Sequence, residues 1–256
     1  MPISIAARGI LLDIEGTTSS IKFVRDVLFP FARKNLRTFL NAHWDHSGMN
    51  EVRLAMAHDA GFDTFEEWYS SKHGFSALTE SAKERECKEI IAKEAEKLMD
   101  RDAKSTGLKE LQGLIWEDGY HSGELKAHVY DDVVPALQAW KTAGADLRIY
   151  SSGSVHAQQL FFGHSEKGNL LPLFSGHYDT HVGGKKEANS YRAIAANFGL
   201  PPSSIAFFSD IVDELEAARG AGMQTVLVVR PGNALSSPGA NFPKIASFGE
   251  VELRVT

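Results

Sequence analysis

The chain has 256 residues, of which 43% are hydrophobic and 23% charged, an ordinary composition for a globular protein. Its formal net charge of −6 argues against a nucleic-acid-binding surface. The single cysteine, Cys87, excludes an intrachain disulfide and is typical of a reducing compartment. No apolar run is long enough to cross a bilayer, and the first residues do not resemble a secretion signal. We therefore expect a cytoplasmic protein, or in a eukaryote also a nuclear one, without membrane contacts.

The first predicted element is a buried strand, because Gly9-Ile10-Leu11-Leu12 is a continuous apolar run. Asp13 and Glu15 follow it, and residues two apart in an extended segment point the same way. They should face one point at the carboxyl end of a strand, where open α/β sheets bind ligands. Two adjacent carboxylates favour a shared cation such as Mg²⁺. A polar turn with a helix N-cap is an equally good interpretation of this motif alone.

A long helical region follows this strand. From about residue 22 to about residue 120, apolar residues recur at three- and four-residue steps among many charges, most clearly in 23–31, 79–102 and 105–116. No convincing strand interrupts the pattern. We predict that residues 19–125 form a helical cap inserted after the first strand.

Strands and helices alternate after this region. Strands are predicted at 146–150, 205–208 and 225–229, with helices before, between and after them. This alternation is typical of an α/β fold with a parallel sheet. We therefore predict a Rossmann-like core formed by residues 1–18 and 126–256. The tail after Ser236, which contains Pro238 and Pro243, is predicted to be a loop.

Polar residues suited to phosphate chemistry follow the predicted strands. Ser151 and Ser152 follow one strand, Asp210 follows another, and Lys185 lies after a glycine pair at a helix start. A carboxylate such as Asp13 can attack phosphorus, and a second carboxyl such as Glu15 can protonate the leaving oxygen. Three such sites at equivalent strand ends, together with Lys185 at a helix start, predict an active site for phosphoryl transfer.

Roles for the remaining site residues follow from the same chemistry. Asp13 and Asp210, with a backbone carbonyl, could hold Mg²⁺, which neutralises phosphoryl oxygens. Ser151 could hold phosphate oxygens, while Lys185 supplies a fixed positive charge. Each also has a simpler interpretation: Ser151 and Ser152 as caps of the next helix, Lys185 as a surface lysine, and Asp210 as an N-cap as well as a ligand.

Further alternatives stay open for four residues. Of Asp213 and Glu214, one could contact the water shell of the metal while the other faces solvent in the first helical turn. Lys104 or Gln112 could reach the carbonyl end of a substrate, although a surface position is the simpler interpretation for either.

With these residues the chain resembles the haloacid-dehalogenase-like phosphohydrolases. The strongest likeness is to the enolase-phosphatase branch of methionine salvage, which has Glu where most members have a second Asp. The superfamily likeness is carried by Asp13, Glu15–Thr17, Ser151-Ser152, Lys185, Ser209-Asp210 with Glu214, Glu216–Ala218 and Ala221–Met223. The likeness to the branch extends through Leu12–Thr18, Tyr150–Val155, Leu160–Ser165 and Val228–Asn233.

This resemblance implies a reaction and a set of residue roles. The substrate would be 2,3-diketo-5-methylthiopentyl-1-phosphate, which is enolised and then loses phosphate to give 1,2-dihydroxy-3-keto-5-methylthiopentene. Mg²⁺ and a monomer are implied. The implied roles are Asp13 as nucleophile, Glu15 as acid and base, Asp13, Glu15 and Asp210 as the metal site, and Ser151, Ser152 and Lys185 as substrate-binding residues. Lys186 is the alternative to Lys185.

Two other functions remain open. The core motifs do not specify a substrate, so another small-metabolite phosphatase of the same superfamily is a close alternative. A catalytically silent phosphate-binding module is disfavoured, because a binder needs neither a nucleophile nor an acid and base.

Overall fold

The computed structural model describes residues 2–73, 79–233 and 241–255. The chain divides into two compact units. One unit combines Met1–Val24 with Gly123–Thr256, and the other is the continuous segment Arg25–Ser122.

The first unit contains the strands of the described chain. In chain order they are β1 (Ile3–Ala6), β2 (Gly9–Leu12), β3 (Asp146–Tyr150), β4 (Gly176–Tyr178), β5 (Ile205–Ser209), β6 (Gln224–Val228), β7 (Lys244–Ile245) and β8 (Val251–Arg254). Six of them form a sheet in the order β4-β3-β2-β5-β6-β7, in which each neighbouring pair is parallel. The predicted α/β fold with a parallel sheet is confirmed.

The middle of this sheet positions the polar residues that follow its strands. Both β2 and β5 are buried along their whole length, as their apolar sequences require. Leu12 pairs with Ile149 on one side and with Phe208 on the other. Because the three strands are parallel and in register, the residues that follow them come together at one edge of the sheet.

Sequence reasoning missed the short strands. In the tail, the loop prediction is wrong at β7 and β8, while Pro238 lies outside the described residues. The two-residue β7 is too short to produce a recognisable pattern. β8 pairs with β1 in a separate two-stranded parallel sheet, and its side chains alternate between half-buried and exposed. β4, also missed, is a three-residue strand at the edge of the main sheet.

The helices follow the predicted periodicity. They are α1 (Ile21–Phe23), continued by a π-helical turn at Val24–Leu28, α2 (Phe29–Ala42), α3 (Gly48–Asp59), α4 (Phe65–His73), α5 (Glu80–Asp100), α6 (Thr106–Ser122), α7 (Val133–Thr142), α8 (Val155–Gly163), α9 (Ala188–Phe198) and α10 (Val212–Gly220). Thr79 caps α5 by accepting a hydrogen bond from Ala82 N, and Gly199 ends α9 with a left-handed backbone. No helix in the described ranges is long and apolar enough to cross a membrane.

The second unit is helical wherever it has regular structure among the described residues. Its core is formed by apolar side chains from α2 to α6, with Leu36, Val52, Ile91 and Leu111 fully buried. The apolar stripe of α5 lies among lysines and glutamates, which keeps its opposite face in solvent.

Candidate active site

Asp13 lies directly after β2 and is 4% exposed. Its backbone N donates to the carbonyl of Phe208 at 3.0 Å, which continues the pairing of the central strands. One carboxylate oxygen accepts from Lys185 Nζ at 2.5 Å, and the other accepts from the Thr17 hydroxyl at 3.3 Å. The carboxylate is thereby fixed at the carboxyl end of the central strand.

Lys185 is the buried member of the lysine pair. Its ammonium lies between Asp13 and Glu214, 2.7 Å from the Glu214 carboxylate, and the residue is 8% exposed. Burial acts to lower the pKa of Lys185, but the charges of Asp13 and Glu214 outweigh it and raise the pKa above its usual value. Lys186 instead lies at the surface and pairs with Asp213. The surface interpretation therefore applies to Lys186 and is wrong for Lys185.

Glu214 is a buried member of the site that sequence reasoning left unresolved. Its carboxylate accepts from the hydroxyl of Ser209 at 2.9 Å as well as from Lys185. Burial raises the pKa of Glu214, against the opposing charge of Lys185. Asp213 and Glu214 are adjacent on α10, so they face different directions, and periodicity alone did not specify which faces inward.

Asp210 follows β5 and is half-buried. Burial, together with the negative charge of Asp13, raises the pKa of Asp210 to about 7. Gly16 has a φ of +78°, and a Cβ there would overlap the Asp210 carboxyl, so only glycine fits this approach. The N-cap of α10 is Ile211, whose backbone N donates to the Ser209 hydroxyl. The predicted capping role of Asp210 is therefore wrong.

Glu15 retains contact with solvent on the turn that follows Asp13. Partial burial raises the pKa of Glu15, the charge of Asp13 adds to the rise, and the charge of Lys185 opposes it. A raised pKa favours the protonated carboxyl, the form that can donate a proton.

Ser151 and Ser152 follow β3 but differ in exposure. Ser151 is buried and its hydroxyl accepts from Gly153 N at 3.4 Å, whereas Ser152 is exposed. Ser154 caps α8, because its hydroxyl accepts from Ala157 N at 3.2 Å. The alternative that Ser151 or Ser152 caps this helix is therefore wrong.

The backbone of the turn after Asp13 is held by residues to which sequence reasoning assigned no role. The carbonyls of residues 16, 17 and 18 accept, in that order, from Asn233 Nδ2 at 2.8 Å, Arg230 Nε at 3.1 Å and the backbone N of Tyr130 at 3.1 Å. Arg230 is itself held by Asp132 at 2.9 Å. Arg230–Asn233 belongs to one of the segments that resemble the family, and this likeness was the only sign of its importance in the sequence.

The donor set fits a hard divalent cation. The negative charge of Asp13 adds to the rise in the pKa of Asp210, and a cation bound between the two carboxylates would relieve this repulsion. Within the described ranges, no three acidic, histidine or cysteine side chains form a metal-binding cluster. Two carboxylates completed by a backbone carbonyl, phosphate oxygens and water match the coordination that Mg²⁺ prefers.

The helical unit has a pocket of its own, with a volume of about 620 Å³. Apolar side chains, including Phe29 and Leu98, line it together with Lys104 and Gln112. Gln112 is 7% exposed, so the surface interpretation is wrong for Gln112, while Lys104 is exposed as expected.

Comparisons with known proteins agree with this geometry. Residues 7–222 match the model of the haloacid dehalogenase-like hydrolase family. The chain is 46% identical to a Drosophila willistoni protein named enolase-phosphatase E1 over 88% of this chain and 87% of that protein. A Stenotrophomonas maltophilia protein of the same name is 42% identical over 96% and 99% of the two chains. The crystal structure of the UTR4 protein from Saccharomyces cerevisiae superposes with a TM-score of 0.72 at 30% identity, covering 94% of this chain and 98% of that one. The chain therefore belongs to the haloacid dehalogenase-like hydrolases and, within them, to the family of the enolase-phosphatase E1 proteins.

Proposed function

We propose that this chain is an enolase-phosphatase of methionine salvage. It converts 2,3-diketo-5-methylthiopentyl-1-phosphate into 1,2-dihydroxy-3-keto-5-methylthiopentene and phosphate, with enolisation before dephosphorylation. The observation that carries the proposal is the buried Asp13 carboxylate, bonded to Lys185 at 2.5 Å, with the Glu15 carboxyl, whose pKa is raised, two residues away. Its specific substrate is supported by the relatives named enolase-phosphatase E1.

Asp13 and Glu15 carry the dephosphorylation in two steps. An Asp13 oxygen attacks phosphorus, the bond from phosphorus to the ester oxygen breaks, and Glu15 donates its proton to that oxygen. The Glu15 carboxylate then takes a proton from a water molecule whose oxygen attacks phosphorus. The bond from phosphorus to Asp13 breaks, which releases phosphate and restores both carboxyls to their starting forms.

The remaining site residues bind phosphate and metal. Lys185, Ser151 and Ser152 hold the phosphate oxygens, and the charge of Lys185 also keeps the Asp13 carboxylate oriented. Asp13, Glu15 and Asp210 would hold Mg²⁺. When bound, Mg²⁺ neutralises negative charge on the phosphoryl oxygens.

Residues 19–125 serve as the cap domain, inserted into the catalytic core formed by residues 1–18 and 126–256. The protein acts as a cytoplasmic monomer on a small phosphate ester, and binds neither nucleic acid nor membranes. The net charge of −6 supports the exclusion of nucleic acid.

A coupled assay tests this function. Purified protein with Mg²⁺ is mixed with the diketone phosphate while ultraviolet absorbance and released phosphate are followed together. We expect absorbance from an enol before or along with phosphate release, and loss of release in EDTA that added Mg²⁺ restores. A panel of sugar phosphates is the control. Faster turnover of a sugar phosphate would assign the chain to another small-metabolite phosphatase, and no turnover of any ester would contradict the hydrolase itself.

A further inference from the structure

The loop that carries Lys185 is held by three buried hydroxyls. Three consecutive backbone carbonyls, those of residues 183, 184 and 185, accept hydrogen bonds from Tyr150 Oη at 2.8 Å, Ser190 Oγ at 2.8 Å and Tyr191 Oη at 2.7 Å. The three donors are at most 1% exposed. Each carbonyl of this loop therefore has its own donor from a side chain.

These donors belong to two different elements. Tyr150 is the last residue of β3, directly before the phosphate-binding Ser151, while Ser190 and Tyr191 lie in the first turn of α9. The loop is thereby joined both to β3, the strand before Ser151 and Ser152, and to α9, the helix after Lys185.

The backbone of the loop is adapted to these bonds. Gly183 has a φ of +131°, and a Cβ at this position would overlap the Ser190 hydroxyl. A glycine is therefore required both for the backbone conformation and for the approach of the hydroxyl. The Tyr150 ring also faces the ammonium of Lys185, whose Nζ lies 5.7 Å from the ring centroid.

Such bonds matter because the ammonium of Lys185 has two short contacts to satisfy at once. It lies 2.5 Å from Asp13 and 2.7 Å from Glu214, and a shift of the lysine backbone disturbs the balance between these two contacts. Lysine side chains are flexible, so a precise ammonium position depends on a fixed backbone and a packed stem.

We propose that Tyr150, Ser190 and Tyr191 are positioning residues that fix the Lys185 ammonium for phosphate binding. They act through the loop backbone and do not contact the phosphate. The proposal rests on the proposed function only in that Lys185 binds the phosphate group.

Removal of single hydroxyls tests this role with little change in shape. Tyr150→Phe and Tyr191→Phe each delete one donor and keep the ring. The matched control is Tyr69→Phe in the helical unit, which deletes a hydroxyl bonded to Glu86 at 2.8 Å. Binding of inorganic phosphate in excess Mg²⁺ is measured by calorimetry, and kcat and KM for the diketone phosphate are measured well below the melting temperature of each variant.

We expect each of the two positioning variants to bind phosphate about tenfold more weakly, which is the effect of losing one well-placed hydrogen bond. KM should rise in parallel, while the control retains the affinity and KM of the unsubstituted protein. Wild-type affinity in both Tyr150→Phe and Tyr191→Phe, with only a lower melting temperature, would make these hydroxyls purely structural and overturn the proposal. Phosphate binding does not depend on the organic part of the substrate. A failure of the diketone phosphate as substrate would therefore contradict the proposed function and leave this test intact.

Discussion

Replacing Lys185 by Met should destabilise the protein far more than replacing its neighbour Lys186 by Met. The Lys185 ammonium is enclosed, with 7% of its side chain exposed, and it compensates the carboxylates of Asp13 and Glu214. Its removal leaves two buried carboxylates without a cation, a change that costs about 3–5 kcal/mol. Lys186 pairs with Asp213 while 68% of its side chain is exposed, so its loss should leave the free energy of unfolding almost unchanged.

The assay is urea unfolding of both variants at pH 7.5 without metal, followed by circular dichroism. Because folding raises the pKa of Lys185, the stability from its charge is fully present below the unfolded pKa of about 10, and it is lost as pH rises through the higher folded value. Measurement at pH 7.5 therefore records the whole effect. At lower pH the loss of unfolding free energy caused by Lys185→Met should become smaller, because burial raises the pKa of Glu214 and favours its neutral form.

Enzyme kinetics provide a second measurement on Lys185→Met and Lys186→Met. Loss of the buried ammonium should raise KM for the phosphate ester about 10- to 100-fold, the effect of one charge-assisted hydrogen bond. Lys186→Met should keep a normal KM. Equal small losses of stability and activity in both variants would refute the assignment of the buried ion pair to Lys185.

The carboxylates of the site allow three further predictions. Asp13→Asn should abolish phosphate release while circular dichroism shows an intact fold, and substantial residual turnover would exclude Asp13 as nucleophile. Glu15→Ala should lower kcat by about 10²–10⁴-fold in the phosphate-release assay; near-normal kcat would contradict its role as acid and base. Because the pKa of Asp210 is raised to about 7, Mg²⁺ must displace a proton below that pH. Calorimetry should therefore show Mg²⁺ binding about tenfold tighter at pH 8 than at pH 6; a pH-independent affinity would remove Asp210 from the metal site.

Sequence reasoning located the strand ends but not the contacts made there. Asp13, Ser151 and Asp210 were predictable in position because long apolar runs mark buried strands, and the residues directly after such a run lie at the sheet edge. The second carboxylate that pairs with Lys185, that of Glu214, was not predictable from its position, because Asp213 and Glu214 are adjacent acids in the first turn of one helix. Only the packing of that helix decides which of them is buried.

The hydroxyls that donate to the carbonyls of the Lys185 loop could not be predicted from the sequence for a related reason. Tyr191 lies on the apolar face of α9, where an aromatic residue indicates packing and nothing more. Its bond to the Lys185 carbonyl depends on where a loop of unpredicted conformation passes. Short edge strands such as β4 escaped prediction because three residues cannot establish a period.

The discontinuity of the first unit has a consequence for how the protein is made. The strand that precedes Asp13 is translated before the helical unit, whereas both strands that flank it in the sheet are translated only after that whole unit. Contacts of such long sequence separation form late, because much chain must be ordered to close them. Asp13 is thus synthesised before Lys185 and Asp210, so a product terminated within the helical unit contains Asp13 without either of these two residues of the site.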